Sequence, residues 1–263
     1  FPGYTEAYEQ IIEAAHKANK PVVYELDDLL PELPEEHPDS TRYRKIRCQM
    51  LKAVVEADAV TCSTPALAEY LRPLNSRVSV LPNLLDPAIW HIHAPVQQSG
   101  GSKLRIGYMG GRAHKADLEM ISPVLVRLLR LFGESLHISF WGSSPPKALA
   151  GWRGVTSRDV ALVDYRQFVR WFVEQQVDVW IAPLQDHLFN RCKSPLKYLE
   201  YSFLRAPGVY SRVSPYQMVV TQGEDGYLAD TPEEWEEYLT RLLNDSTLRE
   251  DIAARAKEKV ERE

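Results

Sequence analysis

Apolar residues in the first third of the chain alternate between the spacing of a helix and the short runs of a buried strand. The pattern predicts helices over 4–19, 40–57 and 65–71, and strands over 21–26, 59–62 and 77–81. Thr64 stands before Pro65, and a capping residue followed by proline is typical of a helix start. Strands separated by helices at this spacing pair in parallel, so we expect a parallel sheet.

The alternation stops in a polar stretch, residues 91–102, and then starts again. We interpret that stretch as a linker between two domains, 1–95 and 96–263. After it, the pattern predicts strands over 104–109, 136–141, 177–182 and 208–211, and helices over 115–132, 166–175, 195–204, 232–243 and 247–260. The sequence therefore predicts an α/β protein with two Rossmann-like, doubly wound parallel-sheet domains.

Composition narrows the class of protein. Of the 263 residues, 44% are hydrophobic and 25% charged, as in globular domains. The formal charge of -5 gives no global attraction for nucleic acid, so we expect no nucleic-acid partner; a local basic face leaves peripheral membrane contact open. No apolar run approaches the ~18 residues of a membrane span. Three cysteines without metal-like spacing indicate reduced thiols and a cytoplasmic location.

The first candidate motif runs from Ile106 to Glu119. A predicted strand leads into Gly110 and Gly111, and the first turn of the next helix carries Lys115. Glycines let a backbone approach a ligand, and free amides at a helix start, together with a lysine, suit a pyrophosphate. Such turns are also common for packing reasons alone, and the glycine order differs from the dinucleotide fingerprint G-x-G-x-x-G.

The second candidate motif is FNRCKSPLKYLEY at residues 189–201, followed by RAPGVYS at residues 205–211. Ser194 before Pro195 predicts a helix cap and a helix start. Lys197 and Glu200 then lie three residues apart on one helix face. The cations of the motif are Arg191, Lys193 and Lys197. They crowd beside a positive helix end, where acidic residues are the usual choice, so we expect a bound anion there.

Together, the two motifs resemble the donor-binding half of the GT-B nucleotide-sugar glycosyltransferases, and most closely the retaining family 4 group. The resemblance rests on Lys-Ser-Pro-Leu-Lys-x-x-Glu-Tyr with a following Pro-x-Val-x-Ser, and on Ile-Gly-Tyr-Met-Gly-Gly-x-x-His-Lys-x-Asp-Leu-Glu. It implies a GT-B-like fold and a metal-independent hexosyltransferase that moves a sugar from a nucleoside diphosphate sugar, UDP-sugar favoured, with retention. The acceptor it implies is an unknown glycan, lipid or protein.

The resemblance also implies roles for single residues. Glu200 matches a glutamate that grips the nucleotide ribose, which suits a carboxylate because it accepts from two adjacent hydroxyls. Lys193 and Lys197 would contact the diphosphate or the donor sugar, and Asp27 or Asp28 stands where relatives often carry a catalytic-pocket histidine. The four residues with expected catalytic roles are Asp27, Asp28, Lys193 and Lys197. The other substrate-binding candidates are Gly110, Gly111, Arg112, His114, Lys115 (a phosphate lysine), Gly142 (a turn near the base), Tyr165 (a wall for the base), Arg191 and Ser194.

Three features depart from the family pattern. Cys192 stands where the first glutamate of a pair belongs. Gly111 stands where an arginine belongs, which leaves Arg112 or Arg191 as substitutes. Only three strands are predicted before the linker, so we expect an incomplete N-terminal domain lacking its first part. Self-association, a missing N-terminal segment or a partner would then complete it.

Two alternatives stay open beside this interpretation. Glu25, Asp27 and Asp28 at a strand end suggest a divalent-metal site. The resemblance argues against it, because GT-B enzymes usually offset leaving-group charge with cationic side chains and helix ends. We therefore expect no metal and no cofactor besides the donor substrate. The other functions to test are a non-catalytic nucleotide-sugar-binding module of a larger protein and a GT-B-like sugar-nucleotide epimerase; donor turnover with and without an acceptor separates them.

Overall fold

The computed structural model describes residues 6–90, 103–160 and 164–262, which form two compact units. The first unit comprises Phe1–Asn83 and Asp186–Ser194, and the second comprises Leu84–Gln185 and Pro195–Glu263. The predicted domain boundary after residue 95 lies outside the described residues. The division of the structure follows Asn83, and a stretch of the later chain returns to the first unit.

Short strands and longer helices alternate along the chain. The strands are β1 (Val23–Leu26), β2 (Ala59–Cys62), β3 (Val78–Val80), β4 (Leu104–Met109), β5 (Leu136–Trp141), β6 (Val155–Arg158), β7 (Val179–Ala182), β8 (Gly208–Ser211) and β9 (Tyr227–Ala229). The helices are α1 (Glu6–Lys17), α2 (Ser40–Lys45), α3 (Arg47–Glu56), α4 (Pro65–Leu71), α5 (Pro87–Trp90), α6 (Lys115–Phe132), α7 (Tyr165–Val173), α8 (Leu188–Arg191), α9 (Leu196–Phe203), α10 (Ser214–Gln217), α11 (Pro232–Asn244) and α12 (Ser246–Arg262). Single 3-10 turns span Leu30–Glu32, Arg112–His114, Gly133–Ser135 and Lys147–Leu149.

The first unit is built on a parallel sheet of three strands in the order β1-β2-β3. One face of the sheet packs against α3 and α4, where Val54, Val60 and Leu67 are fully buried in one core. The predicted cap is confirmed, because the Leu67 amide donates to Thr64 Oγ1 at 3.2 Å. This cap fixes the start of α4 directly after β2.

The helix predicted over 40–57 is two helices, α2 and α3. Ile46 separates them, with φ −109° and ψ 9°, outside the helical region. Apolar spacing continues across Ile46, so the periodicity does not reveal the break.

Residues Asp186–Ser194, which include α8, belong to the first unit although both flanking elements belong to the second. Phe189 and Cys192 are buried in the same core as β1 and β2. The packing of these two side chains therefore holds the returning stretch in the first unit.

The second unit is built on six parallel strands in the order β6-β5-β4-β7-β8-β9. Val179 and Trp180 follow each other along β7 and lie in different core clusters, so apolar side chains are buried on both faces. The predicted doubly wound α/β architecture is confirmed in this unit. The two edge strands, β6 and β9, were not predicted: β6 is mostly exposed, and β9 has only three residues.

No helix in the described part of the chain is both long enough and apolar enough to cross a membrane.

Candidate functional site

A glycine turn, Gly110 and Gly111, follows β4 in the second unit. The Gly110 amide donates to the Trp141 carbonyl at 3.0 Å, and the Gly142 amide donates to the Arg158 carbonyl at 3.0 Å, so the ladder continues past the ends of the strands. Gly142 has a φ of +76°, and a Cβ there would lie 2.9 Å from the Gly110 carbonyl oxygen. Position 142 therefore requires glycine for backbone reasons alone.

The two glycines of the turn differ in what surrounds them. A Cβ on Gly110 would lie 2.4 Å from the hydroxyl oxygen of Tyr108, a fully buried side chain. A Cβ on Gly111 would meet no described atom within 4 Å, and its φ of −72° suits any residue. Packing thus explains Gly110 but not Gly111, whose bare, exposed backbone is open to a ligand.

A buried carboxylate holds the start of α6 in place. His114 Nδ1 lies 2.8 Å from Asp117 Oδ2, and the Gln185 amide donates to Asp117 Oδ1 at 2.8 Å. His114 is therefore occupied in bracing the turn. Arg112 and Lys115 on the same turn are exposed and form no ion pair with any described residue. Two free cations thus stand beside the amides that begin α6.

Tyr201 ties α9 to the end of β4. Its hydroxyl donates to the Met109 carbonyl and accepts from the Met109 amide, both at 3.1 Å, and its ring stacks on Trp180 at 4.4 Å. These contacts bring α9, with Lys197 and Glu200, beside the strand that leads into the glycine turn. Lys197 Nζ lies 6.0 Å from the centre of the Tyr108 ring. Sequence reasoning missed Tyr201, although it follows Glu200 directly in the motif.

The Glu200 carboxylate acts electrostatically on Tyr165. Burial raises the pKa of Glu200 to about 7, and the Lys197 ammonium acts in the opposite direction. Tyr165 begins α7, is 47% exposed as a residue, and its hydroxyl accepts a hydrogen bond from Trp90 Nε1 at 3.1 Å. Burial raises the pKa of Tyr165, and the hydrogen bond from Trp90 lowers it. The carboxylate charge of Glu200 also raises this pKa, and the net direction is upward.

In the first unit, polar side chains from three parts of the chain meet after β1. We refer to them as the aspartate–lysine cluster: Asp27, Asp28, Asn83, Lys193 and Ser194. Asn83 Nδ2 donates to Asp27 Oδ1 at 2.6 Å and to Ser194 Oγ at 3.1 Å. Lys193 Nζ lies 3.6 Å from Asp28 Oδ1. The structure therefore brings together four predicted residues, and adds Asn83, which was not among the predicted site residues.

One expectation for the second motif is wrong. Ser194 does not cap α9: Pro195 occupies the cap position without a side-chain hydrogen bond, and the Ser194 hydroxyl accepts from Asn83 instead. Arg191 is not a free cation, because Asp186 holds its guanidinium in two contacts of 2.5 and 2.9 Å. The three cations of the motif therefore do not form one unpaired cluster.

Cys192, at the position of the expected first glutamate, is a core residue. It is 1% exposed, and Thr64 Oγ1 donates to its carbonyl at 2.8 Å. Burial raises the pKa of its thiol to about 11, so the thiol is protonated at neutral pH. A glutamate here would bury a charge, which explains why this chain carries a small apolar side chain.

Comparison with known proteins assigns the chain to a family. Residues 120–263, more than half of the chain, match the family described as glycosyl transferase-like. The chain belongs to this glycosyl transferase-like family. No curated protein sequence matches it.

Solved structures share the fold of this glycosyl transferase-like chain. TarM from S. aureus is similar with a TM-score of 0.69 and 12% identity, over 97% of this chain and 49% of TarM. Alr3699/HepE from Anabaena, in complex with UDP and glucose, is similar with a TM-score of 0.67 and 13% identity, over 95% of this chain and 69% of HepE. Sucrose-phosphate synthase from Thermosynechococcus elongatus is similar with a TM-score of 0.68 and 14% identity, over 95% of this chain and 65% of the synthase. The chain thus has the GT-B glycosyltransferase fold and spans about half the length of TarM.

The predicted residues of the glycosyl transferase-like chain fall into both units. The second unit holds Gly110, Gly111, Arg112, His114, Lys115, Gly142, Tyr165, Lys197 and Glu200, and the first holds Asp27, Asp28, Arg191, Lys193 and Ser194. Within the described ranges, no group of three or more His, Cys, Asp and Glu side chains is arranged to hold a metal ion.

Proposed function

We propose that this chain binds the donor of a retaining hexosyltransferase that moves a sugar from a UDP-sugar to a glycan, lipid or protein acceptor. One observation carries the proposal. Glu200, with its raised pKa, stands on a helix that Tyr201 fastens to the end of β4, next to the glycine turn. The Glu200 carboxyl group and the glycine turn thus lie together at the carboxyl edge of a parallel sheet. Doubly wound folds bind nucleotides at this edge.

The nucleoside would be held by Glu200 and Tyr165. The Glu200 carboxylate accepts hydrogen bonds from both ribose hydroxyls, one with each oxygen. A neutral amide has only one oxygen and could not do this. Tyr165 offers a half-exposed ring that stacks on Phe168 with ring centres 6.0 Å apart, and the hydrogen bond from Trp90 fixes its orientation. A planar base could pack against such a ring.

The diphosphate would be held by Arg112, Lys115, Lys197 and the Gly111 backbone. Arg112 lies on the 3-10 turn before α6, and Lys115 is the first residue of α6. Both are exposed and form no ion pair with a described residue, and the helix start adds its free amides. In transfer, these groups would stabilise the leaving diphosphate, which is the reason we propose metal-independent chemistry. UDP rather than another nucleotide is supported by HepE, which was solved with UDP and glucose.

Titration calorimetry of the full chain with UDP, GDP and uridine tests the proposal. Glu200→Ala should weaken binding of UDP and uridine alike by about 10- to 100-fold, the ~1.5–3 kcal/mol of hydrogen bonds to a charged group. Lys197→Gln and Lys115→Gln should weaken binding of UDP but not of uridine. Glu237→Ala and Lys52→Ala, on outer helices, should change neither. Unaltered affinity of Glu200→Ala for every nucleotide would overturn the assignment.

A second function, a non-catalytic nucleotide-sugar-binding module, is favoured by Cys192. A core cysteine stands where the resemblance implies a glutamate that contacts the donor sugar. The test is release of UDP from UDP-glucose, measured with and without a mixture of glycan acceptors. Multiple turnover supports the transferase, whereas tight binding without any turnover supports the module.

A cytoplasmic location is part of the same proposal. The described cysteines, Cys48, Cys62 and Cys192, are all free thiols, as expected for a reducing compartment.

A further inference from the structure

His37 lies beside the aspartate–lysine cluster, on the loop that follows β1. Its ring meets the edge of Phe189, with ring centres 5.7 Å apart and an angle of 75°. Lys193 Nζ lies 4.3 Å from the centre of the same Phe189 ring and 3.6 Å from Asp28 Oδ1. Phe189 thus contacts the His37 imidazole and the Lys193 ammonium, and Lys193 in turn lies near the Asp28 carboxylate.

The hydrogen bonds of His37 fix the position of its proton. The Asp39 amide donates to His37 Nδ1 at 3.1 Å, so Nδ1 carries a lone pair and the proton of the neutral ring is on Nε2. Nε2 makes no hydrogen bond to any residue that the structure describes, and the side chain is partly exposed. His37 therefore offers one free N–H donor beside the Phe189 ring, which Lys193 also contacts.

The surroundings keep this imidazole neutral. Burial lowers the pKa of His37 most, and the Lys193 ammonium lowers it further; the carboxylates of Asp39 and Asp28 oppose them. A second histidine, His187, stacks on Phe189 with ring centres 6.3 Å apart. At neutral pH, His37 is thus a donor without charge.

The charges of the cluster select the class of ligand. Asp27 and Asp28 are two carboxylates set against the single ammonium of Lys193, so a phosphate would meet a net negative group. Sugar hydroxyls carry no charge and both donate and accept. They match the free carboxylate oxygens as acceptors, and Lys193 and His37 Nε2 as donors.

We propose that His37 is a further sugar-binding residue, and that with Asp28 and Lys193 it takes the hydroxyl groups of a hexose rather than a phosphate. The inference rests on the proposed function, because it names the part of the first unit that receives a sugar. The roles of Asp28 and Lys193 follow from the family resemblance, whereas that of His37 follows from the contacts of this structure.

Proton NMR of the full chain tests the inference. The ring signal of His37 is assigned by its absence from the spectrum of His37→Gln. Titration with D-glucose or N-acetylglucosamine, up to hundreds of millimolar, should shift this signal, and inorganic pyrophosphate should not. Absence of a shift with either sugar overturns the inference, and so does a shift that only pyrophosphate produces.

Variants then separate sugar binding from a structural role. Saturation-transfer NMR on the sugar should show that His37→Phe, which keeps a flat ring, raises the half-saturating glucose concentration about fivefold, the value of one hydrogen bond. His37→Gln, which keeps an N–H donor at a similar distance, should recover part of the loss. His137→Gln, in the second unit, should change nothing. Equal losses in His37→Phe and His37→Gln would contradict the role assigned to Nε2.

Calorimetry with UDP, run on the same samples, distinguishes this inference from the proposed function. UDP binding without sugar binding overturns the role of His37 and leaves the nucleotide assignment intact. Sugar binding without UDP binding supports His37 and overturns the nucleotide assignment.

Discussion

The two units position their candidate residues in different ways. In the second unit, the glycine turn and Gly142 follow the adjacent strands β4 and β5, and the backbone ladder itself sets their positions. In the first unit, the aspartate–lysine cluster depends on side chains that meet over long stretches of chain: Asn83 bonds partners 56 and 111 residues away.

This difference indicates which half tolerates change. A site made of backbone at a sheet edge persists as long as the sheet persists, so it resists most side-chain substitutions. A site made of side chains from three segments is lost by single substitutions that leave the fold intact. We therefore expect the shape of the glycine turn to depend on fold stability and the aspartate–lysine cluster to depend on individual side chains.

The largest expected effect is on the stability of the second unit. Gly142→Val should lower the free energy of unfolding by about 3 kcal/mol, because a branched residue is strained at positive φ and its Cβ would press on the Gly110 carbonyl. Urea denaturation followed by circular dichroism measures it. Gly111→Ala is the matched control and should stay within ~0.5 kcal/mol, since open space surrounds that position. If both substitutions lowered the free energy of unfolding equally, the backbone ladder would not determine the conformation of the glycine turn.

The next effect is the pH dependence of uridine binding. Uridine has no phosphate that titrates, so the response reports on Glu200. Its pKa of about 7 means that the carboxylate, the form that accepts two ribose hydroxyls, predominates only above that value. Affinity should therefore fall about tenfold from pH 8 to pH 6. Glu200→Gln should bind weakly at both values with no pH dependence. A steep dependence retained in Glu200→Gln would assign the titration to another group.

A smaller effect separates the cluster from the fold. Asn83→Ala removes the hydrogen bonds to Asp27 and Ser194, at a cost of about 1 kcal/mol of stability or less, and should leave UDP affinity unchanged. Asn75 is the control, because its amide donates to the backbone carbonyls of Val54 and Ala57 at 2.8 and 2.9 Å. Asn75→Ala should cost about 2 kcal/mol, since buried carbonyls lose their partner. If Asn83→Ala proved the more costly, the cluster would be part of the structural core.

The smallest expected effect is that of chelation. Neither UDP binding nor any sugar transfer should change in EDTA. By contrast, Asp27→Asn should reduce turnover more than it reduces donor binding. Activity lost in EDTA and restored by Mn²⁺ would make Glu25, Asp27 and Asp28 candidates for metal ligands.

The regular parts of the fold could be predicted from the sequence, because buried strands and amphipathic helices leave a periodic pattern. In the second unit, the long elements were predicted within a few residues: β4, β5, β7, β8, α6, α7, α9, α11 and α12. The exceptions have physical reasons. The exposed strand β6 has no apolar pattern, and the four-residue helices α5, α8 and α10 are too short to show a period.

The candidate residues could be predicted only where their neighbours in sequence are also their neighbours in space. The helix that carries Lys197 and Glu200 is of this kind. Ser194 is not: a serine before a proline predicts a cap, but its partner is Asn83, 111 residues away. His37 carries no local signal either, since its role depends on Phe189 and Lys193 from the returning stretch.

The return of Asp186–Ser194 to the first unit has a consequence for dividing the protein. The first unit could not be expressed intact as one continuous piece, because a fragment ending after Asn83 would lack Phe189 and Cys192 from its core. A fragment beginning at Leu84 would in turn expose those two side chains to water. Exchange of the first unit between relatives by recombination would need three crossover points, after Asn83, after Gln185 and after Ser194. An exchange of residues 1–83 alone would therefore pair the core of one relative with the returning stretch of another.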